Sequence, residues 1–337
     1  MIVIGKWNEL EQIQPDVYRM LKNSRIKNRV AHAYLFEGGK GTGKREAALL
    51  FAKSLFCEQI TEGIVPCDHC VNCKRIQSGN HPDVHVLEPD GLSIKKEQIQ
   101  TLQEEFSKKA VESSKKLYAI FHADKMTNQA ANSLLKFLEE PNRETTAILV
   151  TEQVQRILPT ILSRCQVISF KPLSPIYFKE TLLQNGVSPS NATVISHLTQ
   201  NLEEALQMNS QEWFAQAQKI MVKLYETLRS NPLKALLYLQ EEWFAHFKEK
   251  EQIDRGLDLL FLIYKDLLHV QLDKRNQLVF NHLEKVLEHD ALLISSQRLA
   301  EKMSVILDAK KRLLSNTNTQ LLMEQLVLNL QEGSSFV

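Results

Sequence analysis

The chain has 337 residues, too many for one ordinary domain, and its 43% hydrophobic and 24% charged residues are typical of globular proteins with ample core. The 41 Lys and Arg against 40 Asp and Glu give a net charge of +1, which argues against a protein that coats nucleic-acid phosphates with its whole surface. No apolar run approaches the length of a membrane span, and the first ten residues lack the features of a signal peptide, so we expect a cytoplasmic protein.

The first half of the chain alternates predicted helices and strands. A helix is predicted to begin at Pro15, and we expect its apolar residues Val17, Met20, Leu21 and Ile26 to form one stripe. The later helices are predicted at 44–57, 94–108, 128–140 and 154–163, and the strands at 33–37, 83–87, 117–121, 145–151 and 166–170. Strands that alternate with helices predict a doubly wound parallel sheet.

A glycine-rich loop follows the first predicted strand. Gly38, Gly43 and Lys44 match the first seven positions of the phosphate-loop pattern G-x-x-x-x-G-K-[ST]. The eighth position is Arg45, where a Ser or Thr hydroxyl should bind Mg²⁺. The loop is therefore expected to offer backbone N–H groups to phosphates but to hold the metal ion badly.

Four of the five cysteines lie close together as Cys57, Cys67, Cys70 and Cys73. In a reducing compartment this spacing indicates a metal site and not disulfides. Four thiolates close a tetrahedral Zn²⁺ site with no position left for water or substrate, so the predicted zinc is structural. His69 and His81 are alternatives for one thiolate, and an Fe–S cluster is the less favoured metal.

The strand that should supply acidic residues to a nucleotide site ends without them. An NTPase needs one carboxylate there for the Mg²⁺ shell and usually a second to orient water. The predicted strand ends at Phe121 and His122, and Asp124 follows where the turn is expected to point its side chain elsewhere. Together with Arg45, this argues against an efficient NTPase.

The second half of the chain is predicted to be helical. Two prolines within 171–175 mark a boundary, a small helical unit extends to about residue 210, and helical spacing of apolar residues continues beyond it. We predict three domains: 1–170, which contains the cysteine insert 57–73, then 171–210 and 211–337.

Two motifs identify a resemblance to a known family. The run ANSLLKFLEEP at 131–141 and the run LSRC at 162–165 resemble the clamp-loader branch of the AAA+ ATPases. The resemblance covers the whole chain and implies a RecA-like AAA+ P-loop domain, a helical lid domain and an all-α collar domain for oligomerisation. The zinc insert is shared by bacterial members of the family.

The resemblance also implies roles for single residues. Arg164 matches an arginine finger that acts on ATP held by the adjacent subunit. Phe121 and His122 fall on the positions of the family's acidic pair, and 201–205 offers two carboxylates where active members place an arginine over the phosphates. Thr151 matches the residue that senses the γ-phosphate. The degenerate nucleotide site, expected to be empty, consists of Gly38, Gly43, Lys44, Arg45 and Thr151.

The family resemblance implies partners as well. The chain would be a non-catalytic stator in a five-membered ring that loads the sliding clamp of bacterial DNA polymerase III on primed DNA at the replisome. Its partners would be gamma/tau-like motor subunits and a delta-like clamp-opening subunit, with primer-template DNA and the clamp contacted through the complex. It would not be an enzyme by itself, but a component of a holoenzyme with DNA-directed DNA polymerase activity.

Other interpretations stay open at this point. The glycine loop also fits an ATP-hydrolysing motor subunit of the gamma/tau type, against which Arg45, Phe121 and His122 count. A zinc-dependent nucleic-acid-binding module is a third hypothesis, opposed by the near-zero net charge. Arg164 is also explained as a cation at a helix terminus, and Thr151 as the end of a strand.

Overall fold

A parallel sheet forms the centre of the first half of the chain in the computed structural model. Its strand order is β2-β3-β4-β1-β5, and every neighbouring pair is parallel. The strands are β1 Ala33–Glu37, β2 Val84–Leu87, β3 Lys116–Ile120, β4 Thr145–Thr151 and β5 Gln166–Ser169. Because parallel strands need crossover connections, helices separate them along the chain, which confirms the predicted doubly wound sheet.

The structure describes residues 6–107, 115–139, 145–230, 232–313, 315 and 318–332. It divides into two compact units, Met1–Tyr177 and Phe178–Val337. The finer division into three domains remains a prediction.

The helices of the first unit agree in part with the sequence pattern. They are α1 Trp7–Ile13, α2 Pro15–Ile26, α3 Lys44–Phe56, α4 Val71–Gln77, α5 Lys96–Ser107, α6 Asn128–Glu139 and α7 Pro159–Leu162. The single helix predicted at 154–163 is wrong: a 3₁₀ turn at Val154–Arg156 is followed by the short α7. Pro159 lacks an N–H and is therefore suited to start a helix but not to continue one.

The single apolar stripe predicted for α2 is also partly wrong. Val17 and Leu21 are buried, whereas Met20 and Ile26 are exposed. Ile26 lies nine residues after Val17, about two and a half helical turns, and so falls on the opposite side of the helix. The α2 helix thus contributes a narrower apolar face than the pattern suggests.

The core on one side of the sheet joins the central strands to α6. Leu35 of β1, Ile120 of β3 and Leu149 of β4 share an apolar cluster with Ala130 and Leu134 of α6. These side chains are almost completely excluded from solvent. The packing holds the carboxyl ends of β1, β3 and β4 at one edge, where the candidate nucleotide site lies.

The second unit is helical over its described residues, as predicted. Helix α8 Pro175–Gln184 spans the division between the units. The others are α9 Pro189–Leu198, α10 Leu202–Ser210, α11 Glu212–Ser230, α12 Pro232–Tyr238, α13 Phe244–His246, α14 Lys250–Gln271, α15 Glu284–Leu293, α16 Ser296–Leu313 and α17 Thr319–Glu332. Within the described ranges, none of the helices is long and apolar enough to cross a bilayer.

Asp266 of α14 is a buried carboxylate in this helical unit. Its Oδ2 accepts hydrogen bonds from the backbone N–H groups of Val279 and Phe280, at 2.9 and 2.7 Å. Burial raises the pKa of Asp266 to about 6, although the same two N–H groups lower it. The carboxylate thereby fixes the chain that follows α14.

Candidate functional site

The glycine loop connects β1 to α3, as the strand–loop–helix pattern predicts. Gly38 has a φ of +149°, and a Cβ there would lie 2.6 Å from the carbonyl oxygen of Phe170. Gly43 adopts the left-handed conformation with a φ of +86° directly before α3. Both positions therefore require glycine for the loop to take this shape.

The Lys44 side chain turns back into the loop. Its Nζ donates to the carbonyl oxygens of Gly38 and Gly39, at 2.7 and 2.5 Å, and contacts Thr42 Oγ1 at 3.3 Å. Burial lowers the pKa of Lys44, and the nearby negative charges of Glu152, Glu46 and Asp124 oppose that shift. The ammonium group is thus bound to carbonyls of its own loop, and a phosphate would have to displace them.

Arg45 contacts the residue that replaces the first acidic position. Its guanidinium lies over the Phe121 ring, 4.3 Å from the ring centroid, and it forms an ion pair with Glu88. A guanidinium has only donors, and a phenyl ring has no oxygen, so neither residue can be a ligand of Mg²⁺. The residue that departs from the phosphate-loop pattern therefore contacts the residue at the end of the strand where carboxylates are missing.

Asp124 was expected to point elsewhere, and the structure corrects that expectation. Its Oδ1 accepts hydrogen bonds from Thr151 Oγ1 at 2.9 Å and from the backbone N–H of Glu152 at 3.1 Å. His122 has a left-handed φ of +54°, which turns the chain back toward the end of β4. A Thr hydroxyl has one proton, so Thr151 cannot donate to a phosphate while it donates to Asp124.

Gln14 is a buried residue that the sequence analysis missed. Its Nε2 donates to the carbonyl oxygens of Thr42 and Lys171, at 3.2 and 2.7 Å, and its Oε1 accepts from the Lys171 N–H at 3.1 Å. One side chain therefore joins the glycine loop to the segment after β5. Its position before Pro15 predicts a helix start, but nothing in the sequence indicates partners so far along the chain.

Arg164 lies just after α7 and contacts the end of α6. Its Nη2 donates to Glu139 Oε1 at 2.7 Å, and its Nη1 donates to the Thr160 carbonyl oxygen at 2.8 Å. Nη1 also lies 3.4 Å from Ser163 Oγ. One third of the Arg164 side chain is exposed. The last two residues of the 131–141 motif lie outside the described residues.

The four cysteines form one cluster, as their spacing predicts. The sulfur atoms of Cys57, Cys67, Cys70 and Cys73 all lie within 4.8 Å of one another, and the first two are 3.6 Å apart. Zn–S bonds of about 2.3 Å in a tetrahedron place sulfur atoms about 3.8 Å apart. The donor set and its dimensions therefore fit a structural zinc ion.

Backbone N–H groups point at three of these sulfur atoms. Cys57 accepts from the N–H of Cys67 at 3.3 Å, Cys67 from that of Cys70 at 3.3 Å, and Cys70 from that of Cys73 at 3.4 Å. Burial alone would raise the pKa of Cys70, but the N–H of Cys73 and other donors lower it to about 7. N–H groups of this kind stabilise the thiolates that a metal ion requires.

The two histidines proposed as alternative ligands have other contacts. The ring nitrogens of His69 lie 2.8 Å from the Cys67 carbonyl oxygen and 3.0 Å from Gln59 Oε1. His81 Nδ1 accepts from the N–H of Asp83 at 3.1 Å. Among the described residues, the group with metal-binding geometry consists of the four cysteines.

The carboxylates predicted at 201–205 differ from each other in their surroundings. Glu204 forms a 2.8 Å ion pair with Arg255 of α14 and accepts a 2.6 Å hydrogen bond from Thr199 Oγ1. Glu203 is exposed. Arg255 therefore compensates the charge of Glu204 within the helical unit.

Comparison with known proteins finds similarity to subunits of DNA polymerase III along most of the chain. The family described as "DNA polymerase III, delta subunit" matches residues 13–174. The chain is 51% identical to the DNA polymerase III subunit delta' of Bacillus subtilis (strain 168) over 327 residues, 97% of this chain and 99% of that protein. It is 30% identical to the DNA polymerase III subunit delta' of Haemophilus influenzae over 245 residues, 71% of this chain and 72% of that protein.

A solved structure also aligns with most of the chain. It is a DNA polymerase III gamma subunit-related protein from Thermotoga maritima, with 20% identity and a TM-score of 0.41. The alignment covers 94% of this chain and 97% of that one.

Proposed function

The chain belongs to the delta' family of DNA polymerase III clamp-loader subunits, and on this premise we propose that it is a non-catalytic AAA+ subunit of the complex. In this role it does not hydrolyse ATP. It is a stator of the ring and supplies Arg164 to ATP held by a neighbouring motor subunit. The complex uses this ATP hydrolysis to load a sliding clamp on primed DNA.

The contact between Arg45 and Phe121 is the observation that carries the non-catalytic assignment. The guanidinium lies 4.3 Å from the ring centroid, and the Mg²⁺ ligands of an NTPase would have to come from these two positions. Lys44 is bound to its own loop, and the Thr151 hydroxyl is bound to Asp124. A Mg-nucleotide would therefore have to break several contacts and would gain no metal ligand from Arg45 or Phe121.

The purified chain tests this assignment directly. We expect weak or no binding of Mg-ATP in a calorimetric titration and negligible hydrolysis in a phosphate-release assay. The reconstituted complex with motor subunits serves as the positive control for the assay. Turnover by the isolated chain at a rate usual for ATPases would instead favour the motor-subunit alternative.

Arg164 supports the part of the proposal that concerns a neighbouring subunit. A guanidinium is planar, permanently charged and able to bind phosphate oxygens with two donors at once. One third of the Arg164 side chain is exposed, and its described partners use only part of its five N–H groups. These properties suit a residue that acts on a phosphate outside its own chain.

The cysteine cluster is proposed to hold one structural zinc ion per chain. Four thiolates complete the coordination of Zn²⁺, so the ion would stabilise the segment around α4 without taking part in hydrolysis. Metal analysis of protein purified without chelators should give about one zinc per chain. Cys165→Ala should not change that stoichiometry, whereas Cys73→Ala should lower it; a value near zero in the unmodified protein, or an Fe–S absorption spectrum, would overturn the assignment.

The partners follow from the proposed role. They are gamma/tau-like motor subunits and a delta-like subunit, with primer-template DNA and the sliding clamp contacted through the assembled complex. The proposed location is the replisome in the cytoplasm. Size-exclusion chromatography with the separate subunits tests these contacts one by one.

A further inference from the structure

We propose that Glu139 is the positioning residue of Arg164 and fixes the guanidinium in the orientation that acts on the neighbouring subunit's ATP. The inference rests on the proposed finger role of Arg164. The observation behind it is the 2.7 Å ion pair from Arg164 Nη2 to Glu139 Oε1, which joins the end of α6 to the residue after α7.

The hydrogen bonds of the guanidinium define one orientation. Nη1 donates to the Thr160 carbonyl oxygen, and Nη2 donates to Glu139. Two directional hydrogen bonds from different nitrogens restrict the plane of the group, because the N–H donors of a rigid guanidinium lie in that plane. Of its five N–H groups, Nε–H and one hydrogen of Nη2 have no partner among the described residues, and these remain for an external phosphate.

The position of Glu139 does not favour the helix that carries it. Glu139 is the last described residue of α6, and a carboxylate near a helix C-terminus is opposed by the helix dipole. The side chain is half exposed, so its ion pair is screened by solvent and contributes little to stability. A role in orienting Arg164 explains its presence better than a role in folding.

Orientation affects the rate because Arg164 has many rotamers when it is free. Without Glu139, the guanidinium keeps its contact with Thr160 but can rotate about it. The Arg164 side chain then loses conformational entropy each time it binds a phosphate, and this loss opposes binding. The loss appears in the chemical step, because the finger acts mainly on charge that develops in the transition state. The affinity of the motor subunit for ATP should change little.

The test uses the complete reconstituted clamp loader with three variants of this chain. Glu139→Ala should lower kcat of DNA-stimulated ATP hydrolysis by about 3- to 10-fold, the size of coupling between contacting residues, with little change in KM. Glu139→Gln keeps an acceptor oxygen and should lose less than Glu139→Ala. Glu97→Ala removes an exposed carboxylate from α5 in the same unit and should behave as the unmodified chain.

A double-mutant cycle separates this inference from the proposed function. If Arg164→Ala alone leaves kcat unchanged, the finger role is wrong. If Arg164→Ala and Glu139→Ala each lower kcat and Glu139→Ala adds no further loss in the Arg164→Ala background, both statements hold. If Glu139→Ala is silent, or its effect multiplies with that of Arg164→Ala, the finger remains and the positioning role fails.

A rate increase would also overturn the inference. Glu139→Gln would speed hydrolysis if the carboxylate mainly repelled phosphate or kept Arg164 away from it. Thermal unfolding of each variant accompanies the assay. We expect unchanged midpoints, because the pair is exposed to solvent.

Discussion

In the glycine loop, the ammonium of Lys44 is bound by Gly38 and Gly39, and the guanidinium of Arg45 is bound by Glu88 and Phe121. After α7, Arg164 also has one carboxylate partner, and a third of its side chain is exposed. Both regions carry cations that could meet a phosphate. The two regions differ at Lys44, whose buried ammonium is bound by carbonyls of its own loop, whereas one third of the Arg164 side chain is exposed. Arg45 is similar to Arg164 in exposure, at 38% of the side chain, and differs from it in lying against the Phe121 ring.

The largest expected effect comes from removing the guanidinium of Arg164. Arg164→Ala should slow ATP hydrolysis by the reconstituted complex on the order of tenfold, less than the 10³-fold or more of a finger at a single site, since other sites remain. Lys44→Ala in the same chain should change turnover little, because Lys44 is bound to its own loop.

The two variants are compared side by side in a steady-state assay, together with the zinc content and assembly of each complex. Those two properties should be intact in both. If the Lys44→Ala complex loses ATP hydrolysis while the Arg164→Ala complex keeps it, the motor-subunit hypothesis is favoured.

Both regions were located from the sequence, but their internal contacts were not. The strand–loop–helix pattern at Gly38–Lys44 is local in sequence, and local patterns of apolar and glycine residues predict it. Arg164 was located by the resemblance of the run 162–165 to the clamp-loader family. The contact of Arg45 with Phe121 joins residues far apart in the chain, and so does the contact of Gln14 with Lys171. Packing of the sheet decides such pairs, and no periodicity encodes them.

Two predictions were wrong because the conformation of a single residue changed the local chain. Asp124 was misplaced because a single left-handed residue, His122, reverses the chain after β3. The helix predicted at 154–163 ignored the restriction that Pro159 imposes. The four cysteines were predicted correctly as a cluster because closely spaced thiolates, with a fourth at a neighbouring helix end, can close a tetrahedral metal site.

Asp266 extends the comparison of charged groups to a buried carboxylate in the helical unit. It has backbone N–H partners and no cation in hydrogen-bond contact among the described residues. Burial raises its pKa from 3.8 to about 6, so the folded state binds the proton more tightly than the unfolded state does. Its contribution to stability is therefore greatest below about pH 4 and declines as the pH rises to about 6, by up to about 3 kcal/mol.

Asp266→Asn isolates this contribution, since Asn does not titrate. The free energy of unfolding of the unmodified chain minus that of Asp266→Asn should decrease between about pH 4 and 6 and be level above that range. Urea unfolding at several pH values measures the difference. A difference that increases with pH would mean that the two N–H groups outweigh burial and that Asp266 is stabilised as the anion.

The smallest expected effect is at Arg45. Arg45→Thr restores the hydroxyl of the phosphate-loop pattern, yet it should create no Mg-ATP hydrolysis, because Phe121 and His122 still supply no carboxylate. It should lower the free energy of unfolding by about 0.5 to 1 kcal/mol, since it removes the contact with the Phe121 ring and the ion pair with Glu88. Arg45→Lys is the matched control, because it keeps the charge near Glu88 but loses the planar contact. Its free energy of unfolding should lie between that of the unmodified chain and that of Arg45→Thr. Urea unfolding and a phosphate-release assay on the isolated chain measure both effects, and hydrolysis by Arg45→Thr alone would mean that the carboxylates needed for Mg²⁺ come from elsewhere, with Asp124 next to Thr151 as the first candidate.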